Sequence, residues 1–195
     1  MSVKKFIVKL VERSTIRDFI EKWHYSQNIN GLKASYCFGL YHDEELIGAM
    51  IYGKPAMNNQ ASKYNKENPD KVLELRRLCC IDDTPKNTES YFIGKTLKWL
   101  RKNTEIETII SYADMTQGHE GTIYKATNFS HVGISPPGKV IIYNGRQYHD
   151  KTIRTKYKGK LKPFAKRIKD ALDNGEAYYT KTKGKHIYVY NITKY

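Results

Sequence analysis

Long apolar runs are absent from this 195-residue sequence. The longest, such as residues 46–52, fall far short of the ~20 apolar residues that a membrane-spanning helix needs. A helical membrane protein is therefore excluded, and no membrane partner is expected. Lys9 interrupts the apolar run that begins at Phe6, which leaves no signal-peptide core. Cysteine is scarce: there are three, two of them the neighbours Cys79 and Cys80. That is no disulfide framework, and it fits a reduced, cytoplasmic setting. Internal repeats and low-complexity linkers are missing too. At ~100–200 residues per domain the chain reads as one domain, large enough to bury a core without a disulfide or metal staple.

Acidic residues are the other scarcity, and a local one. Residues 1–120 are nearly balanced, with 18 basic and 16 acidic side chains, whereas residues 121–195 hold 16 basic and only 4 acidic ones. Between Lys151 and Lys169 there are nine basic residues and no acid, with Tyr157 and Phe164 interleaved. Charge of one sign on one part of a domain is the footprint of a polyanionic partner. A solvated basic surface without a partner is the plainer alternative. The basic part covers about residues 139–195, with Lys151, Arg154, Lys156, Lys158, Lys160 and Lys162 as candidate contacts to nucleic acid. If the run 156–162 is extended, its four alternating lysines point to one side.

The hydropathy pattern predicts a strand at 6–11, then a helix capped by Ser14 or Thr15 with Ile16, Phe19, Ile20 and Trp23 on one face. Two strands, 34–41 and 46–53, form a hairpin. The polar stretch 54–70 reads as a surface loop. A strand at 72–81, a helix at 88–102 and a strand at 108–112 follow, and this crossover predicts a parallel strand pair. A helix at 120–127, strands near His131 and at 140–143, a helix at 161–172 and a last strand at 186–192 complete the chain. The class is a mixed α/β sandwich.

Three constellations carry chemistry. In the first, the turn with Lys86 and Asn87 enters a helix that carries Ser90 and Gly94. A helix N-terminus offers unpaired N–H groups and positive dipole, which suit the phosphates of a nucleotide-like cofactor; a simple capped helix is the plainer reading. In the second, Gly121, Tyr124, Phe129 and Gly133 resemble the Tyr-x-x-x-Gly-Phe-x-x-x-Gly pattern of GCN5-related acyltransferases, in the element order of that family. The resemblance implies parallel strands splayed around the pantetheine arm of acetyl-coenzyme A, and a helix tyrosine that protonates the departing thiolate. Two departures are visible. The usual Gly-rich phosphate loop is replaced by residues 87–94 with one late glycine, and Asn128 stands where a glycine is usual.

The third constellation is the most specific. Ser111-Tyr112-Ala113-Asp114, Gln117-Gly118-His119, Gly121, Ile123-Tyr124, Ala126 and Asn128-Phe129 recur together with His24-Tyr25, Arg77-Leu78, the 87–94 turn and Lys185-His186-x-Tyr188-Val189-Tyr190. This set, from about Trp23 to Tyr190, is similar to the Mom family of bacteriophage DNA adenine-modification proteins. The resemblance implies conversion of adenine in double-stranded DNA to its N6-carbamoylmethyl (acetamido) form in the host cytoplasm, hiding restriction sites. It places functional roles on His24, Arg77, Ser90, Asp114 and Tyr124, and implies an iron dependence with histidine and tyrosine as ligands.

The residues themselves agree in part. The adenine N6 amine is delocalised into its ring, so an acceptor for its hydrogens helps; Asp114 leaves the end of a parallel strand, where α/β sheets present catalytic groups. Capping the next turn is its plainer role. Tyr124 is an acid, a metal ligand or a core tyrosine. Arg77 in an apolar strand needs a partner, such as Asp114 or a ligand phosphate, because an unpaired buried guanidinium is costly. His24, near a helix C-terminus, is favourable through the dipole alone. His119 and His149 lack a recognisable ligand spacing, and Cys79 and Cys80 alternate across a strand, so at least one of them reads as core. N6 of a paired adenine carries a Watson–Crick hydrogen bond, so chemistry on it requires extrusion of the base. Tyr143, Tyr148 and Tyr157 offer stacking surfaces. Two other classes stay open: an N-acetyltransferase for a protein, RNA or small molecule, which needs no basic tail, and a non-catalytic DNA-binding module, which needs no polar cleft.

Overall fold

Alternating burial along the first strands sets the architecture. In the computed structural model, which describes residues 2–193, β1 (Ile7–Leu10), β2 (Tyr36–His42) and β3 (Glu45–Gly53) are joined antiparallel, and β3 continues antiparallel to β4 (Val72–Cys80). Next come α3 (Thr88–Asn103) and β5 (Thr108–Asp114), and β5 lies parallel to β4. The sheet is completed by β6 (Ser130–Ile134) and β12 (Lys185–Asn191), in the order β1-β2-β3-β4-β5-β12-β6. The predicted parallel pair is thus present at the centre of a mixed sheet.

Strand pairing divides the side chains between two faces. Phe38, Met50 and Leu78 are matched across β2, β3 and β4 and pack with Phe92, Leu97 and Leu100 of α3. Cys37, Ile51 and Arg77 are matched on the opposite face, where Ile16 and Ile20 of α1 (Arg13–Trp23) close over Cys37 and Ile51. Ile16 and Ile20 are fully buried, each worth ~1.5–3 kcal/mol relative to exposure. The capping of α1 differs from expectation: its N-cap is Glu12, without a side-chain hydrogen bond. Stretch 54–70 is not all loop. It contains α2 (Asn58–Tyr64) and a 3-10 turn at Pro69–Lys71, held because Glu107 accepts from Asn65, Asn68 and Lys71. Ala61 packs on Val72, Ile110 and Val189 with Tyr64 beside it, too few apolar contacts to register as periodicity.

The chain divides into two compact units. The first comprises the described residues up to Ala113, residues Glu120–Gly133 and those from His186 on; the second comprises Asp114–His119 and Ile134–Lys185. In the second unit β7 (Lys139–Tyr143), β8 (Arg146–His149) and β11 (Ala177–Lys181) form a sheet in the order β11-β7-β8. The helix α5 (Pro163–Asp173) covers one face of it, packing Ile168 and Ala171 on Ile141 and Ala177. The short strands β9 (Lys156–Tyr157) and β10 (Lys160–Leu161) form a hairpin with Lys158 and Gly159 in left-handed conformations at its tip. That hairpin overturns the single lysine row. Lys156 is paired with Leu161 and Lys160 with Tyr157, so Lys156 and Lys160 project to opposite faces. The sequence reading also missed β8 and β11.

Candidate active site

The parallel pair comes apart. Pairing between β4 and β5 runs only from Val72 with Thr108 to Leu75 with Ser111, although both strands continue. The register of β3 on β4 jumps at the same point, from Arg77 opposite Ile51 to Leu75 opposite Tyr52. Arg76 is therefore an extra residue, a bulge that bends its strand and ends pairing. The last rung is held by Ser111, whose buried hydroxyl donates to the Leu75 carbonyl at 3.3 Å.

Around this parting the first unit gathers several of the residues singled out in the sequence. Arg77 donates from Nε and Nη2 to the Asn28 carbonyl at 3.3 and 3.2 Å, and from Nη1 to the Arg76 carbonyl at 2.7 Å. The expected carboxylate partner is replaced by backbone carbonyls of the loop after α1. Burial pulls the guanidinium below its ordinary value, with Arg76 adding to the effect and the Tyr25 phenol and Glu74 carboxylate opposing it. His24 is the C-cap of α1, buried against Tyr25 with ring centroids 4.3 Å apart. Its Nδ1 accepts from the Ser26 amide at 3.0 Å, which assigns the ring proton of the neutral imidazole to Nε2.

Tyr124 sits on the short helix α4 (Thr122–Lys125), much reduced from the predicted 120–127. It is buried among Phe129 and Tyr188, with ring centroids 5.5 and 5.2 Å away. Burial pushes its phenol up to about 12; a hydrogen bond with Ser111 opposes this, while Tyr25, Glu74 and Tyr188 push the same way as burial. At neutral pH Tyr124 is thus an un-ionised hydrogen-bond donor. Gly121 is required by two features together: φ is +73°, and a Cβ there would stand 2.2 Å from the Tyr188 ring. Tyr188 in turn donates to the Glu120 carbonyl at 2.6 Å.

The turn before α3 places Asn87 as N-cap in the left-handed region, φ +73°. Ser90 donates back to the Asn87 carbonyl at 3.0 Å. The early amides of α3 have no acceptor within the helix, which together with the parted strands fits a coenzyme A pyrophosphate and pantetheine arm. Gly94 lies beyond the first turn, and nothing approaches the position its Cβ would take.

Asp114 belongs to the second unit, where its carboxylate accepts from the Thr116 amide at 3.0 Å and lies 2.9 Å from the Lys185 ammonium. Burial alone would raise it, but Lys185 and Thr116 outweigh that and hold it below the usual carboxylate range. Both roles weighed in the sequence are therefore compatible: Asp114 caps the 3-10 turn Met115–Gln117 and lines an open cavity of about 440 Å³. Iron does not fit. Among the described residues no three His, Cys, Asp or Glu side chains are grouped to hold a metal ion. His119 and His149 join no such group, and the Nδ1 of His149 accepts from the Lys151 amide. Contacts that the sequence reading did not foresee are the Asn28 carbonyl under Arg77 and the pairing of His131 with His186, whose nitrogens lie 3.1 Å apart. No spacing in the sequence signals that pair, because β6 and β12 are 55 residues apart at that point.

A mixed sheet with one parallel pair that parts at a bulge, followed by a helix start suited to phosphate, defines the fold of the GCN5-related N-acetyltransferases. The spermidine/spermine N-acetyltransferase of Vibrio cholerae is similar, with TM-score 0.54 and 10% identity over 97% of this chain and 94% of that one. A Bacillus subtilis acetyltransferase solved in complex with CoA is similar too, with TM-score 0.50 and 10% identity over 97% of this chain and all of the other. The chain belongs to the Mom protein family, whose family model matches residues 5–195. The methylcarbamoylase mom of Escherichia phage Mu is 28% identical over 159 residues, which are 80% of this chain. The chain spans 65% of the length of that relative. Among the described residues no helix is long and apolar enough to cross a membrane.

Proposed function

We propose that this chain is a transferase that modifies adenine at N6 in double-stranded phage DNA, giving the carbamoylmethyl form and protecting the DNA from restriction inside the host. The observation that carries this reading is family membership over residues 5–195, strengthened by a relative that is named a methylcarbamoylase. The overall change replaces one N6–H by an N–C bond: a proton leaves the amine and a leaving group departs from the donor carbon. Asp114, kept ionised by Lys185, is suited to accept a hydrogen bond from the amine; its low basicity makes it an orienting acceptor more than a strong base. Tyr124, kept un-ionised by burial, is suited to donate toward negative charge on the departing group.

The parted strands and the α3 N-terminus support binding of acetyl-coenzyme A at Lys86, Asn87, Ser90 and Gly94. Acyl transfer from its thioester alone would give an N6-acetyl amide, so the carboxamide nitrogen of the carbamoylmethyl group requires a second, nitrogen-bearing co-reactant. Arg77 and His24 serve to fix the loop after α1 beside the parting, through the Asn28 carbonyl and the Ser26 amide. DNA would meet the basic part, about residues 139–195. The test is expression in a bacterium followed by digestion of plasmid DNA with enzymes whose sites contain adenine. Protection supports the reading. Full digestion with folded protein would favour an N-acetyltransferase for another amine, or, if the protein still binds duplexes, a non-catalytic DNA-binding module.

A further inference from the structure

The second unit has a built cavity that no motif announced. Its floor follows from strand register. In the β11-β7-β8 sheet, Ile141 is matched with Tyr148 and Tyr179, and Ile141 faces α5. The alternate residues belong to the other face: Val140 with His149 and Thr180, and Ile142 with Gln147 and Tyr178. That face opens on the cavity of about 440 Å³, lined among others by Asp114, Val140, Gln147, His149, Thr182 and Lys185. The volume is within the ~300–1,000 Å³ of small-molecule sites, and the lining is mostly polar and charged, with Val140 as its apolar side chain.

The polar groups are held in place. Asp114 is fixed by the Thr116 amide and by Lys185. The Thr116 hydroxyl accepts from the Lys183 amide at 3.1 Å, and the Lys185 backbone exchanges hydrogen bonds with Ser135 at 2.9 Å. Thr182 and Gly138 are tied by two further bonds, 3.0 and 3.1 Å. The chain at Gly184 is so close to Ser135 that an added Cβ would stand 2.3 Å from its carbonyl oxygen. A carboxylate accepts at about four lone-pair positions. Three of those on Asp114 are engaged, by Lys185 and by the amide and side chain of Thr116, so it retains capacity for one amine hydrogen in the cavity. Gln147 lines the same cavity with a carboxamide, which pairs with the N6 amine and N7 of adenine through two bonds at once.

We propose that this cavity holds the acceptor base after its extrusion from the duplex, with Asp114 taking one hydrogen of the exocyclic amine and Gln147 reading the adjoining amine and ring-nitrogen edge. The inference rests on the adenine-modifying reading above and names where the base sits. It also accounts for selectivity. Guanine presents a carbonyl oxygen to Asp114 in place of an amine, so two acceptors would oppose each other. The 3-10 turn Asp150–Arg154 borders the same cavity through Asp150 and carries Lys151 and Arg154, which puts candidate phosphate contacts at its mouth.

The test uses the whole chain and two duplexes that differ at one position, an adenine or a guanine placed opposite an abasic site so that extrusion costs little. The wild-type protein should prefer the adenine duplex, and Gln147→Ala should reduce that preference by about 10-fold to 100-fold, as expected for one bidentate base contact. The melting temperature should not move, because Gln147 is exposed. Equal binding of the two duplexes by the wild type, or a preference that survives Gln147→Ala, would overturn the inference. If the preference is present but cells expressing the protein contain only unmodified adenine, the transferase reading fails and the base pocket stands. If adenine is modified and no preference exists, the reverse holds.

Discussion

Replacing Gly121 by alanine should destabilise the protein by about 4 kcal/mol, because two penalties act at one atom. The first is conformational: φ is +73°, and a left-handed backbone costs a residue with a Cβ ~1–2 kcal/mol. The second is steric. The new methyl would lie 2.2, 2.4 and 2.6 Å from Cε2, Cζ and Oη of Tyr188, a ring that is 1% exposed. Tyr188 cannot swing away freely, since it packs on Tyr124 and His131 and donates to the Glu120 carbonyl. Forcing an extra carbon into such a core costs ~1–3 kcal/mol, and the hydrogen bond at risk is worth ~1 kcal/mol. For a chain of this length about 4 kcal/mol corresponds to a fall of about 8–16 °C in Tm. Gly31 is the control: its φ is +72° but nothing lies within 4 Å of its added Cβ, so Gly31→Ala should show the conformational penalty alone. Thermal unfolding of both variants by circular dichroism measures the difference. Equal losses would refute the claim that Gly121 exists to admit Tyr188.

Further outcomes follow from the same geometry. Tyr124→Phe removes the hydroxyl bonded to Ser111, so stability should fall by only ~1 kcal/mol while adenine modification is lost in plasmid assays; unaltered modification would make Tyr124 a core residue only. Asp114 titrates below its ordinary ~3.9 through Lys185 and Thr116, which outweigh its burial. Its contribution to stability is therefore full above about pH 4 and lost as pH falls through the folded value. Melting curves of Asp114→Asn should lack that acid loss, and parallel pH profiles would contradict it. Burial raises all three thiols, Cys79 to about 12 and Cys37 and Cys80 also upward. A thiol reagent at pH 8 should then find three reactive cysteines only after denaturation. Finally, Lys156 and Lys160 project to opposite faces of their hairpin. If one face meets duplex DNA, only one of Lys156→Gln and Lys160→Gln should lower the log–log salt slope, by about 0.9.

Legibility from sequence tracked the range of the interactions. The hairpin of β2 and β3, the β4–α3–β5 crossover and the helix faces were readable because each rests on local alternation or helical spacing. Ile16 and Ile20, for example, meet the sheet where their periodicity places them. The stretch with α2 was misread because its order comes from Glu107, some 40 residues away, and not from its own composition. The lysine row failed for a different reason. Strand alternation was assumed through Gly159, where the backbone turns left-handed and reverses the chain. In the site, chemical identity was visible and partners were not. Arg77 was marked as needing a partner, but backbone carbonyls satisfy it. Asp114 was singled out, whereas its pairing with Lys185, 71 residues further on, carries no local signature, and Gln147 becomes visible only when the second sheet is folded.

The central claim is that adenine in DNA is this protein's acceptor. Nucleoside mass spectrometry of plasmid DNA from a bacterium expressing the full chain tests it most directly. The account predicts a deoxyadenosine species heavier by one carbamoylmethyl group, present with the wild type and absent with Asp114→Asn. Unmodified deoxyadenosine from cells that contain soluble, folded wild-type protein would contradict it.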